Sequence, residues 1–215
     1  APDKPRGPAL LPLGALPSPL RRYLLVLVLF SLGNSSDALL LLWARDSGIS
    51  AAQIPLLWTA HNLVKALLSA PLSALSDRGG ADLGARIAVR RRSIRVAFAV
   101  YALCYLGFAT QSGRGWALGL FLLYGVYYAL LEGTEKALVA DLAPTGARGG
   151  AFGWFHAVLG VTALPASLLA AALYRSGQAD GTGPLRAFGC GAVLASLAAL
   201  LLGTVRPAPA SSRAT

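Results

Sequence analysis

Residues 23–43 read YLLVLVLFSLGNSSDALLLLW, a stretch long enough to cross a bilayer that carries Gly33-Asn34-Ser35-Ser36-Asp37 within it. A hydrocarbon core about 30 Å thick requires roughly 20 consecutive apolar residues as a helix. An ionisable group at such depth is expensive unless it faces a partner or a wet cavity, so Asp37 marks a candidate functional site inside the membrane.

Composition agrees with a membrane protein. The chain is 55% hydrophobic and 13% charged with a mean hydropathy of +0.59, whereas soluble domains carry about 25% charged residues. Six apolar segments approach spanning length, at 23–43, 54–75, 96–110, 116–138, 152–174 and 185–205. The third is short and needs Arg95 and Gln111 to snorkel at its ends. The runs are continuously apolar and rich in Leu and Ala, which excludes the alternating segments of a membrane barrel. The fold class expected is therefore all-α, a polytopic bundle of six transmembrane helices.

Lys and Arg set the orientation. Thirteen of them (Lys4, Arg6, Arg21, Arg22, Arg78, Arg86, Arg90, Arg91, Arg92, Arg95, Arg148, Arg206 and Arg213) fall on one side, against Arg45, Arg114, Arg175 and Arg186 on the other. The positive-inside rule then predicts both termini in the cytoplasm, and the chain is expected in the cell's inner (plasma) membrane. The same distribution accounts for a net charge of +10 without nucleic acid as a partner.

Cys104 and Cys190 lie inside spans and read as packing residues, since no disulfide framework or metal-ligand spacing exists. Residues 1–20 carry six prolines and read as a Pro-rich cytoplasmic linker. A signal peptide fits less well, because its apolar core is short and Pro-broken. The chain starts at Ala1 and has no Met, as expected of a processed polypeptide or one cut from a longer chain. Residues 21–206 form the expected bundle and 207–215 a disordered cytoplasmic tail.

Polar residues are distributed unevenly over the spans. Asn34 and Asp37 share a helical face three residues apart; His61, Lys65 and Ser69 form an i, i+4 stripe beside Asn62. Tyr124, Tyr128, Glu132 and Glu135 or Lys136 make another stripe, and the fifth span contributes His156. The third and sixth spans hold no charge between 96 and 110 or between 187 and 205. Four helices are thus expected to line something polar and two to face lipid. The pattern repeats by three, so the two copies cross in opposite directions as two inverted three-helix repeats.

These residues resemble the C-terminal half, helices seven to twelve, of a bacterial major facilitator superfamily transporter. The resemblance rests on LFSLGNSSDALLLLWA, on Pro71-Leu72-Ser73-Ala74-Leu75-Ser76-Asp77-Arg78-Gly79-Gly80, and on EGTEKALVADLAP at 132–144 followed by RGGAFG at 148–153. The family's G-x-x-x-D-R-x-G-R-R loop motif is met by Asp77, Arg78 and Gly80, with Ser73 at its first Gly and Arg90-Arg91-Arg92 arriving after an insertion at 81–89. The resemblance implies that helices seven, eight, ten and eleven line a central cavity while nine and twelve are peripheral. It also implies secondary transport of a small solute by alternating access, with proton-coupled efflux as one form.

Depth along the helices divides the candidates. Asn34, Asp37, His61, Asn62, Lys65, Tyr124, Tyr128 and His156 are expected in a substrate or proton cavity. Asp77, Arg78, Glu132, Glu135, Lys136, Asp141 and Arg148 are expected in a cytoplasmic network of charges that latches one conformational state. An Asp37–Lys65 pair that only fixes helix packing is the competing reading of the first group.

Enzymatic readings fare worse. No G-x-S-x-G element exposes Ser35 or Ser36 as a nucleophile, and the phosphatidyl-alcohol transferase pattern faintly echoed at 77–86 lacks aspartates on the next helix. Two distant histidines make no metal site, and no cofactor is expected. A complete transporter of this kind has two six-helix bundles, and 215 residues supply one. The partners expected are the lipid bilayer, a small-molecule solute, protons, and either a missing N-terminal six-helix half or a second copy. The alternative is a six-helix membrane protein that does not transport.

Overall fold

The computed structural model describes residues 12–205, where the chain is helical with no strand. The tail at 207–215 and the first part of the linker lie outside the described residues. Helix α1 (Ser18–Gly33) and α2 (Asp37–Asp46) together form the first spanning unit. They are followed by α3 (Ile54–Ser76), α4 (Leu83–Thr110), α5 (Arg114–Leu142), α6 (Arg148–Ser176) and α7 (Gly183–Leu201). Helix α1 begins three residues before the expected boundary, because Pro19 sits in the first turn, where its missing N–H costs nothing.

Five of these units are long and apolar enough to cross a membrane. Helix α3 has the length at 23 residues, but His61, Asn62 and Lys65 lower its hydropathy.

The third span is longer than its apolar run. The segment 81–95, expected as loop and insertion, is helical from Leu83 onward. Asp82 caps this start by accepting the Ala85 N–H at 2.6 Å. The arginines that follow reach protein acceptors: Arg91 donates to the Gly203 carbonyl at 3.1 Å and Arg95 to that of Ala199 at 3.3 Å. Connections between spans are short, and each carries a glycine at positive φ: Gly48, Gly80, Gly113, Gly146 and Gly181. A side chain at these positions would be strained. In the last connection, the Thr182 hydroxyl and N–H donate to Asp180 and hold its carboxyl below the usual range.

Packing follows the threefold repeat. Helix α3 lies on α5 as α6 lies on α1; α4 packs on α5 as α7 packs on α1; and α4 meets α7 at the centre. Each contact that one three-helix half makes on the other is thus matched by the reciprocal contact, whereas within the halves α6 packs on α7 far more than α3 does on α4. The shared core is aromatic. Phe30 stacks on Phe98 at 4.0 Å, Tyr101 on Tyr105 at 4.0 Å and Tyr124 on Tyr127 at 5.3 Å.

Helix α4 corrects the expectation of a plain, lipid-facing third span. Val96, Leu103 and Leu106 do face outward, but Phe98, Tyr101, Tyr105 and Phe108 are fully buried. A count of charges does not register tyrosines.

Two glycines permit close approaches between the backbones of neighbouring spans. A Cβ on Gly191 of α7 would lie 2.6 Å from the Gly33 carbonyl oxygen of α1, and one on Gly125 of α5 would lie 2.7 Å from that of His61 on α3. Close backbone approach at small residues is how membrane helices associate without a hydrophobic driving force. Gly125→Ala and Gly191→Ala are each expected to destabilise the protein by about 1–3 kcal/mol. Gly119→Ala, which meets open space on α5, is expected to be neutral or stabilising by about 0.5–1 kcal/mol. Thermal unfolding in detergent checks the contrast; equal losses in all three would refute it.

Candidate functional site

The first spanning unit is broken where the sequence places Gly33-Asn34-Ser35-Ser36-Asp37. Asn34 is extended at φ −91° and ψ 91°, and Ser36 caps α2 by accepting the Ala38 N–H at 3.3 Å. Ser, Asn and Asp compete for backbone hydrogen bonds and favour caps over helix interiors. Asn34 and Asp37 therefore do not share one helical face, as uninterrupted periodicity predicted.

A break inside a span leaves backbone groups that water cannot satisfy. Tyrosines from neighbouring helices meet one of these, the Gly33 carbonyl, and the polar side chains beside it. The Tyr101 hydroxyl donates to the Gly33 carbonyl at 2.9 Å and lies 3.4 Å from Asn34 Oδ1. The Tyr105 and Ser35 hydroxyls are 3.1 Å apart, and Tyr124 donates to Asp37 Oδ1 at 3.2 Å. Tyr101 and Tyr105, absent from the sequence-derived site, were marked only by their i, i+4 spacing.

From Asp37 a polar and aromatic ladder continues between α3 and α5. His61 is buried, with Nδ1 3.1 Å from the Phe121 carbonyl. Its ring stacks on Trp58 at 4.9 Å, lies 5.4 Å from Tyr124 and meets Tyr128 edge-on at 5.5 Å. Lys65 Nζ sits over the Tyr128 ring at 5.1 Å and pairs with Glu132 at 2.7 Å; Lys136 reaches the same carboxylate at 3.4 Å. Lys65 thus pairs with Glu132, not Asp37, and joins residues the sequence had divided between cavity and latch.

Two expected cavity residues stand apart. Asn62 is exposed, with its amide bonded back to the Trp58 carbonyl at 2.9 Å. His156 is exposed on α6, with an edge contact to Phe155 at 5.1 Å. Helix α6 packs through Ala151 and Phe155, and the next residue turns about 100° away.

The charge cluster at the opposite end of α3 and α5 centres on Arg90. Its guanidinium pairs with Asp77 at 3.0 Å, pairs closely with Asp141, and donates to the Ala137 carbonyl at 2.9 Å. Arg86 adds a second bond to Asp141 at 3.5 Å. Arg90 and Asp141 side chains are 11% and 10% exposed, so the pair is screened little by solvent. The helical start of α4 brings Arg90, the first of the arginine triplet, back to Asp77 across the apparent insertion. Arg78 and Arg148 are exposed and make no ion pair among the described residues. Glu135 lies half-buried on α5, towards Tyr23 and Tyr127 rather than Arg90.

Comparison with known proteins fits this architecture. The family model of the Major Facilitator Superfamily matches residues 23–215. An uncharacterised MFS-type transporter of Methanocaldococcus jannaschii is 34% identical over 193 residues, covering 87% of this chain and 45% of the relative. The chain thus spans about half the length of the curated relative it matches. No solved structure matches it. A family match over nearly the whole bundle, joined to two packed repeats of three helices and a broken first span, means that the chain belongs to the major facilitator superfamily.

Proposed function

We propose that this chain is the C-terminal half of a secondary transporter that moves a small solute by alternating access, with protons as the coupling ion and export as the working direction. The observation that carries this reading is the ladder from Asp37 through Tyr124, His61, Tyr128 and Lys65 to Glu132, which links the broken first span to the charged end of α5. Carboxylates and histidines in such chains within a membrane are candidate proton relays. Asp37 is the proposed proton carrier, and the mixed signs of the ladder suit a solute of modest net charge.

The opposite wall comes from a second six-helix bundle, as an N-terminal half or a second copy. In support, α3 and α6 are the least covered helices, with Leu63 at 57%, Leu67 at 66%, Val161 at 74% and Leu164 at 66% exposure. The arginine-rich end faces the cytoplasm under the positive-inside rule, with both termini there and the chain in the inner membrane. In this orientation the Asp77–Arg90–Asp141 cluster is a cytoplasmic latch, closed when α3, α4 and α5 converge. Opening of this end requires α3 to part from α4 and α5, which separates its members.

Two measurements test the reading. In the assembled transporter, Asp37→Asn is expected to abolish transport driven by a pH gradient while solute exchange without a gradient persists; undiminished gradient-driven transport would overturn the proton role. Arg90→Ala leaves Asp141 with only the longer Arg86 contact and removes the partner of exposed Asp77, and is expected to cost about 1–3 kcal/mol in the latched state. A cysteine placed at buried Ser76, at the end of α3 beside the cluster, should then label faster from the cytoplasmic side, by about tenfold or more. Unchanged labelling would show that the cluster is not a latch.

A further inference from the structure

The cleft between the start of α1 and the first half of α6 takes no part in the ladder or the latch. It encloses about 460 Å³, with Arg21 and Arg22 at one end, Leu25 and Val28 along α1, and Trp154 and Val158 opposite on α6. Its wall changes from cationic to apolar over the seven residues between Arg21 and Val28, a depth of about 10 Å. A phospholipid passes from phosphate to acyl chain over a comparable distance at the bilayer interface. Tryptophan is enriched at that level because its ring is apolar with a polar edge.

Charge selects among amphiphiles. Among the described residues no acidic side chain lines the cleft, and the exposed Arg21 guanidinium makes no hydrogen bond or ion pair with them. Arg22 gives one donor to the Thr204 carbonyl at 3.2 Å, and the rest of its fork is available. Guanidinium groups bind phosphate through paired N–H donors. Leu25, at 70% exposure, offers an apolar ridge where a chain can lie. We propose that this cleft holds an anionic phospholipid, with its phosphate on Arg21 and Arg22 and one acyl chain along Leu25, Val28 and Val158. The site requires only that the chain be embedded in a membrane and is independent of transport.

Native mass spectrometry of the full chain, with phosphatidylglycerol and phosphatidylcholine of matched acyl chains, tests the assignment. Preferential retention of phosphatidylglycerol is expected, falling about fivefold in Arg21→Gln and further in the double variant with Arg22→Gln, as a contribution near one tenfold step or less per surface arginine implies. Arg92→Gln, an exposed cation on α4 outside the cleft, is expected to leave the preference unchanged. Equal retention of the two lipids, or an equal loss in Arg92→Gln, would overturn the site. Glycerol 3-phosphate should fail to displace the lipid; displacement would assign the arginines to a soluble phosphate instead. A photoreactive phenylalanine in place of Leu25 should capture phospholipid in native membranes, and capture of a protein segment would show that the cleft belongs to another occupant.

Discussion

Tyrosine hydroxyls from α4 and α5 bond the polar groups exposed where the first span stops being helical part-way along its length. Gly33, Asn34, Ser35 and Asp37 would otherwise present polar groups to hydrocarbon, at about 1–3 kcal/mol for each group left unsatisfied. Tyr101, Tyr105 and Tyr124 meet them at 2.9–3.4 Å. Those contacts fix how far α4 and α5 stand from the first span. The aromatic stack behind them sets the distance between the two halves of the bundle.

The repeat of three turns this local solution into an architecture. Since α4 meets α7 at the centre and each half's contacts on the other are reciprocal, the first and fourth spans carry polar groups towards one side. The second and fifth spans are left thinly covered. The break in α1–α2 belongs to one repeat only, and Asp37 enters the ladder because the counterpart span, α5, remains a continuous helix of 29 residues carrying Tyr124 and Tyr128.

Electrostatics divide the molecule by depth. In the ladder Asp37 is met by one tyrosine hydroxyl, Lys65 by Glu132 and the face of Tyr128, and Glu132 by two lysines. At the arginine-rich end Arg90 is shared among two carboxylates and a backbone carbonyl. A guanidinium supports this because it offers several donors in a rigid fork and keeps its charge. Capping by Asp82 makes the arrangement possible, since a helical start to α4 places Arg86 and Arg90 one turn apart on the same face.

The sequence by itself determined the class of fold, since apolar run lengths, the separation of Lys and Arg, and the threefold recurrence of polar spans are properties of solvation that each segment carries alone. It also marked Asp37, His61, Lys65 and Glu132, because an ionisable residue in an apolar run is conspicuous in any context. Pairing was decided only by the tertiary structure. Lys65 could reach Asp37 or Glu132 on spacing alone, and the approach of α3 to α5 at Gly125 placed it beside Glu132. Tyr101 and Tyr105 were invisible as site residues, because tyrosine is equally at home in a core, and their hydroxyls acquire a role only once α4 lies against the break at residues 34–36. His156 shows the converse: its type suggested a cavity, and the face of α6 that packs, through Ala151 and Phe155, leaves it on the exposed side of this bundle.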